Sequence, residues 1–416
     1  MEQGLEAPFA SSTKPPLARV CHITTNHRAL DGRIFYKECC TLADAGYDVH
    51  LVAYHPQDEI LNGIRIHAVP RPPAGRLRRF FVWPWRFLIR AARLRPDLYH
   101  FHDAEFLPQA MVLRWVLGAR VVYDMHENVP AQFLGQILTW IRLPNFVRRA
   151  AALVYRTLET FAVLGMNLIE SDMIEGRFRQ PKQSIRNLPL LKSSPPVPRK
   201  NEDFRRKPIL IYTGGISVAR GILAMLELAD RLAQRNQPFE MRIVGELPSG
   251  ELGQRIESFL SERKLSSQVK LYRKVPFPES LRLVAESTLG LSLLKPLPNY
   301  RYALPTKILE YMTYGLPILS SDIPCSAYYV RRYQAGIVTD MDNVEALADA
   351  AIGLLTDPDR MLWYSRNGQK AIAEELNWER ESKLLLQFYE RLLWGRRDVA
   401  PCFPHRPRGL SIQGVA

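Results

Sequence analysis

"ILIYTGGISVARGILAMLELADRLAQR", residues 209 to 235, runs from an apolar stretch through a glycine pair into a helical pattern. A strand that ends in a glycine turn and feeds a helix is half of a β-α-β unit, and the next apolar run, "FEMRIVG" (239 to 245), supplies the second strand. The alternation continues with the strand "VKLYRKV", the helix "ESLRLVAES", the strand "LGLSLL", a further helix and the strand "PILSSD". Working back toward the N-terminus, the same theme is present a first time. "ARVCHITT" (18 to 25) reads as a buried strand, "NHRALDGR" as a loop, Ile34 to Ala45 as a helix stopped by Gly46, and "YDVHLVAY" as a strand. "DLYHFHD" and "ARVVYDMHE" follow, each after a helix. Strands alternating with helices imply parallel sheets covered on both faces, so the expected fold is α/β with two doubly wound domains. A polar, proline-rich stretch, "SSPPVPRKNEDFRRKP" (193 to 208), is the expected linker.

The bulk properties bound the function. At 416 residues the chain is long enough for two cores, and its 24% charged and 47% hydrophobic content is that of a folded protein. A net charge of +14 calls for an anionic partner such as phosphates, nucleic acid or a membrane surface. Nucleic acid is not expected, because the basic residues track no recognised reader motif. Five cysteines in no metal-ligand spacing read as reduced and cytosolic. The N-terminus lacks an apolar core of signal-peptide length and no later stretch is apolar enough to cross a bilayer, so the chain is expected neither to enter nor to span a membrane.

Ligands in doubly wound sheets bind beyond the carboxyl ends of the strands, which directs attention to the residues just after each one. In "ALPTKILEYMTYGLPIL" (303 to 319), Pro305 suits a first helical position and Gly315 and Pro317 are stop signals. Thr306 and Glu310 share one side of this helix with Lys307 beside them, and a helix start carrying a Thr and a Lys suits an anion. An ordinary surface helix with a Lys307–Glu310 pair is the plainer reading. The third and fourth strand patterns end in "HFHD" and "DMHE". Alternation puts His100 and His102 on one face. They have metal-ligand character, but no partner motif accompanies them and no metal is expected.

Taken in order, "NHRALDGRIFYKE", "HFHD", "YDMHE", "YTGGISVARGI", "IVG" and "LPTKILEYMTYGLPI" resemble the retaining GT-B glycosyltransferases of glycosyltransferase family 4, in particular the bacterial polysaccharide and lipopolysaccharide branch. The resemblance runs from Arg19 to Trp394. It implies two Rossmann-like domains facing a central cleft, the second holding a nucleotide sugar, the first an acceptor, with no metal. The implied division is a disordered segment 1–17, an acceptor domain 18–192, a linker 193–208, a nucleotide-sugar domain 209–376, a helix 377–395 crossing back to the first domain, and a disordered tail 396–416. Glu310 falls on the family's second glutamate, which bonds the donor ribose, while Tyr302 stands where the first would be. Arg220 takes the place of the second diphosphate-binding cation and Gly215 replaces the first, leaving Lys307 or Arg301 to make up the charge.

By the same resemblance His126, Arg220 and Glu310 are the expected catalytic residues. Gly214, Gly215, Gly245, Lys274, Leu304, Thr306 and Lys307 join Arg220 and Glu310 in donor binding, and His27, Asp31, Arg33, His102 and Asp103 meet the acceptor. Arg33 has a second reading as an ion-pair partner of Asp31 or Glu38. The implied activity is transfer of a hexosyl group from a UDP- or GDP-sugar to a lipid-linked or polysaccharide acceptor, with no cofactor beyond that co-substrate. A nucleotide-sugar epimerase of related fold and a non-catalytic GT-B subunit are the alternatives. Arg76, Arg78, Arg79, Phe80, Phe81, Trp83 and Trp85 are expected to dock the protein on an anionic membrane, at the cytoplasmic face, alongside other glycan-assembly enzymes. The competing reading of this stretch is a sheet-covering helix from Pro84 to Leu94 with Phe87, Leu88 and Ala91 in the core.

Overall fold

The computed structural model describes residues 15–71, 82–125, 144–170, 178, 182–192, 197–273, 275–297, 300, 304 and 306–395. The chain divides into two compact units. One holds the residues up to Arg186 together with the last helix from Glu381 onward, and the other holds Asn187–Arg380.

The first unit contains an eight-stranded sheet built from β1 (Arg19–Arg28), β2 (Asp48–Tyr54), β3 (Glu59–Leu61), β4 (Ile64–Val69), β5 (Leu98–Phe101), β6 (Val121–Met125), β7 (Asn167–Glu170) and β8 (Lys182–Ser184). Their order is β3-β4-β2-β1-β5-β6-β7-β8, and only the β3–β4 pair is antiparallel. That pair is closed by Asn62 and Gly63, both at positive φ, as a tight two-residue hairpin turn requires. The central strands β1, β2, β5 and β6 are buried almost throughout, because helices cover both faces of a parallel sheet.

The second unit's sheet is wholly parallel: β9 (Ile209–Thr213), β10 (Glu240–Val244), β11 (Val269–Tyr272), β12 (Leu289–Ser292), β13 (Ile318–Ser321) and β14 (Gly336–Thr339), ordered β11-β10-β9-β12-β13-β14. The strand order reverses between β9 and β12, so their carboxyl ends open the crevice in which ligands of such sheets sit.

Two local departures from the sequence reading have physical causes. The helix expected over Ile34 to Ala45 is wound as a π-helix from Ile34 to Cys39 and as an α-helix only from Cys40 to Asp44. The wider turn begins on Asp31, whose Oδ1 accepts from the amides of Arg33 and Ile34 while its carbonyl accepts from Phe35 and Tyr36. The stretch read as a linker does not divide the units, since the boundary falls at Arg186 and Asn187. Arg199 donates to the carbonyls of Tyr314, Ala285 and Ser287, and Phe204 is buried, which ties 197–208 into the second unit. At the other end, the helix Trp378–Trp394 starts in the second unit and continues into the first.

Candidate active site

In the second unit, β9 ends at Thr213, whose amide donates to Tyr311 Oη (3.1 Å). This bond fixes the end of the strand to the helix Thr306–Thr313, which carries Tyr311 in its buried face. The chain then turns through Gly214 and Gly215 into a short 3-10 turn, Val218–Arg220, and the helix Ile222–Gln234. Gly221 joins the two at φ 81°, and a methyl group there would lie 1.8 Å from Leu293 O, so no other residue fits without displacing β12's exit. At Gly245, which follows β10, a methyl group would lie 2.1 Å from Gly214 O.

Two cations converge on this turn. A methyl group placed on Gly214 would be 3.4 Å from Arg220 Nη1 and 3.7 Å from Lys307 Nζ. Lys307 Nζ lies 4.3 Å from the centre of the Tyr212 ring, a cation–π contact. The Tyr212 hydroxyl donates to Gly215 O (2.7 Å), which holds the ring beneath the glycines. Among the described residues, neither Arg220 nor Lys307 is ion-paired with a carboxylate. Burial, followed by the charge of Arg220, pulls the Lys307 ammonium down to about 7, with Glu310 opposing the shift. Two positive groups held side by side beside a glycine turn and a helix start form a receptacle for a multiply charged anion. Thr306 is exposed and Leu304 and Glu310 are half-buried, all on or just before the same helix. Lys274 and His126 lie outside the described residues.

The first unit corrects the acceptor reading. Arg33 is buried and faces inward: Nε donates to Glu38 Oε1 (2.8 Å), and Nη2 donates to both oxygens of Asp124 (3.0 and 2.9 Å) and to Ile185 O (3.2 Å). It is thus an ion-pair partner of Glu38 and not a surface ligand for phosphate. Asp103 is also buried, and its carboxylate accepts from Thr24 Oγ1 and the amides of Thr25 and Asn26 while contacting His27 Nδ1 (2.9 Å). Burial opposes its charge, yet the His27 and Thr24 contacts prevail and hold its carboxyl down at about 2. Asp103 thereby holds the C-terminal half of β1, buried His102 meets His22 of the same strand, and Asp31 caps the π-turn. His27, about a third exposed, and Asp31, half-buried, are the members of the set that reach the surface.

The membrane stretch is divided. Arg76, Arg78, Arg79, Phe80 and Phe81 lie outside the described residues. Trp83 is a core residue, with its Nε1 donating to Pro70 O (2.7 Å), and Phe87, Leu88 and Ala91 are buried beside it on the helix Trp83–Arg93. Trp85 points outward with Arg86 and Ile89, so this helix covers the sheet with its other face and Trp83 cannot reach a membrane. The apolar surface is elsewhere: the helix Asn145–Ala162 exposes Phe146, Leu153, Leu158 and Phe161, all more than 60% accessible.

Of the buried polar cluster in the first unit, the sequence reading reached His100 and His102 but not the partners of that pair. His22, Glu38, His100 and His102 are all buried together, joined by Asp124 and by Tyr389 of the last helix. The available signal was a single polar residue flanked by apolar ones in two buried strands, "CHI" and "YHF".

Comparison with known proteins bears on both units. Residues 195–371 match the family model described as "Glycosyl transferases group 1", and residues 32–160 match "Glycosyltransferase Family 4". Sucrose-phosphate synthase from Thermosynechococcus elongatus is similar in structure, with a TM-score of 0.70 at 17% identity, over 91% of this chain and 100% of that one. Anabaena HepE, solved in complex with UDP, gives a TM-score of 0.65 at 11% identity, over 89% and 99%. Alpha-D-kanosaminyltransferase of Streptomyces kanamyceticus is 26% identical over 155 residues, 37% of this chain. That match spans 38% of the curated relative's length.

Proposed function

The chain is a glycosyltransferase of the GT-B fold, and from that we propose that it moves a hexosyl group from a UDP- or GDP-sugar to a lipid-linked or polysaccharide acceptor with retention of anomeric configuration. The observation that carries the donor assignment is the convergence of Arg220 and Lys307 on Gly214, at the strand end where a diphosphate meets a helix start. In the step proposed, the bond from the anomeric carbon to the diphosphate oxygen breaks as the acceptor oxygen approaches the same face. The acceptor's proton passes to the departing diphosphate, and the charge growing on that diphosphate is met by Arg220 and Lys307. Glu310 holds the donor's ribose and His126 lines the sugar. Gly215 and Gly245 leave room for the diphosphate by their small size, and Leu304 and Thr306 flank it at the helix start, with Lys274 near the base. No cofactor besides the nucleotide sugar takes part in this scheme. The epimerase and non-catalytic alternatives have no specific observation in their favour. Incubation with UDP- and GDP-hexoses, measuring nucleoside diphosphate release with and without acceptor glycan, tests the reading. Acceptor-dependent release supports it; interconversion of sugars, or no turnover with any donor, refutes it.

The Lys307 ammonium gives this site a pH signature. In the free protein it loses its proton near 7, and a bound diphosphate would favour the charged form. Donor binding therefore takes up a proton above that pH, so affinity for a nucleotide sugar should fall as pH rises through 7, by up to about tenfold per unit. A nucleotide sugar is the right probe because its diphosphate bears no terminal group titrating near 6. Calorimetric titration in wild type and in Lys307→Met checks this: the slope should vanish in the variant.

A peripheral site of action on an anionic membrane accompanies this reading. Among the described residues no helix is long and apolar enough to cross a bilayer. The exposed Phe146, Leu153, Leu158 and Phe161, with Arg148, Arg149 and Arg156 on the same helix, have the composition of an interfacial segment. Vesicles containing anionic lipid should co-sediment the protein, less so as salt rises, and Leu158→Ser with Phe161→Ser should reduce binding at least tenfold, since each buried side chain contributes about 1.5–3 kcal/mol. Unchanged binding by this double variant would remove the helix from the account.

A further inference from the structure

The buried histidines of the first unit have a geometry that the sugar-transfer reading does not use. His22 on β1 and His100 on β5 are paired in parallel register, and their rings lie 4.4 Å apart. His102, two residues further along the same face, stacks 4.5 Å from His100. Glu38 comes to the same place from the π-helical turn Ile34–Cys39. One ligand atom from each of the four lies within 4.8 Å of those of the other three, and all four residues are at most 2% exposed.

The hydrogen bonds around the cluster show which atoms face inward. His22 Nε2 and His100 Nδ1 both meet Tyr389 Oη, at 3.1 and 2.6 Å. His102 Nδ1 faces Asp124 Oδ2 at 3.5 Å, and Glu38 Oε1 accepts from Arg33 Nε at 2.8 Å. The opposite atoms turn toward one another: His22 Nδ1 is 3.0 Å from His102 Nε2, which is 4.0 Å from Glu38 Oε2. No hydrogen-bond donor reaches Glu38 Oε2, although it is wholly buried. A buried carboxylate oxygen with no donor is costly unless a cation faces it or the carboxyl keeps a proton, and the three imidazoles beside Glu38 make a cation a fitting occupant.

We propose that His22, His100, His102 and Glu38 bind a divalent first-row transition metal, with Zn²⁺ the ion that best suits three imidazoles and one carboxylate. Tetrahedral bonds of about 2.0–2.1 Å place ligand atoms about 3.3 Å apart, a value that the His22–His102 and His102–Glu38 separations of 3.0 and 4.0 Å bracket, and the four atoms, all within 4.8 Å of one another, draw in to it by small side-chain shifts. The outer contacts are those that metal-bound histidines require: each far ring nitrogen has an oxygen to donate to, and Arg33 orients the carboxylate. With four protein ligands the site is closed, so its role is structural. It clamps β1, β5 and the π-turn together and, through Tyr389, seats the last helix on the first unit.

The test uses the full-length, untagged chain, stripped with chelator, dialysed against Zn²⁺, freed of loose metal and assayed by elemental analysis. Wild type should retain one equivalent and gain thermal stability from it. His67→Ala should behave identically, which separates this site from the His50–His67 pair, 2.7 Å apart on the neighbouring strands. His100→Gln with Glu38→Gln should retain only background metal and show no Zn²⁺-dependent rise in melting temperature. Co²⁺ loaded into wild type should give the intense visible absorption of a tetrahedral site, a readout that needs no variant. Failure of wild type to retain a stoichiometric ion, a weak octahedral Co²⁺ spectrum, or undiminished retention by the double variant would each overturn the proposal.

Discussion

Arg220→Ala is expected to lower kcat for sugar transfer by roughly 10²–10³-fold while the protein stays folded, which corresponds to about 2.7–4 kcal/mol of transition-state stabilisation. The expectation rests on position. Arg220 closes the turn after β9 and shares the space beside Gly214 with Lys307, so a diphosphate there would meet both charges at once. The charge that leaves the sugar accumulates on that diphosphate as the bond breaks, so the contact strengthens in the transition state and its loss should appear in kcat more than in KM. Folding should survive, because the backbone of the turn is held by bonds that do not use the guanidinium: Arg220 N donates to Ser217, and the Tyr212 hydroxyl to Gly215 O. Lys307→Ala should fall in the same range, and the double variant should lose less than the product of the two, since the cations serve one anion. Steady-state kinetics on the four proteins, with circular dichroism as a check on folding, measures all of this. Near wild-type turnover in Arg220→Ala at saturating donor would remove the residue from the site.

Arg33→Ala should destabilise the first unit by about 3–5 kcal/mol, the usual cost of removing one member of a buried ionic network. The arginine is the cation between Glu38 and Asp124, both fully buried, and its removal leaves two carboxylates facing one another. The sign of the pH dependence follows. Burial and the Asp124 charge already hold the Glu38 carboxyl well above the usual carboxylate range against the pull of Arg33, and removing the guanidinium raises the pair further, so the folded variant binds protons more tightly than the wild type and than the unfolded chain. Its stability is then highest in acid and declines as pH rises through the raised values, which means that the deficit relative to wild type shrinks as pH falls. Arg33→Lys should recover only part of the loss, because an ammonium cannot span Glu38, Asp124 and Ile185 O together. Urea unfolding in the presence of chelator, at several pH values, gives both magnitude and slope.

The fold was legible because its signal is periodic. Apolar runs such as 209–213 and 18–25 stand between helical patterns, glycine turns mark where one gives way to the next, and a parallel α/β sheet is the arrangement that such alternation permits. The turn at Gly214 was legible for the same reason, since it follows a strand; Arg220 was singled out by resemblance alone, and the structure puts its guanidinium beside that glycine. The direction of a side chain was not. Arg33, His102 and Asp103 lie on strand-terminal loops that look exposed in the sequence, yet each points down into the sheet because a buried partner is there: Asp124, His22, and Thr24 with the amides of residues 25 and 26. Those partners are distant in sequence and are brought close only by the register of β1, β5 and β6. Trp83 went astray similarly. An aromatic among arginines suits a membrane interface, but Pro70 O and the sheet's uncovered face supply it with a better site. The division of the units was misplaced because proline content indicates an irregular path, not an absence of contacts, and Arg199 packs from within that path.

The claim on which the rest depends is that Arg220 and Lys307 hold the diphosphate of a nucleotide sugar, and thermal unfolding with UDP, GDP, their monophosphates and their nucleosides tests it most directly. At about 100 times its dissociation constant a ligand adds about 2.7 kcal/mol. The account predicts a clear rise in melting temperature with one of the two diphosphates, a smaller one with its monophosphate, almost none with its nucleoside, and loss of the diphosphate's advantage in Arg220→Ala/Lys307→Ala. Equal stabilisation of wild type and the double variant by that diphosphate would contradict it.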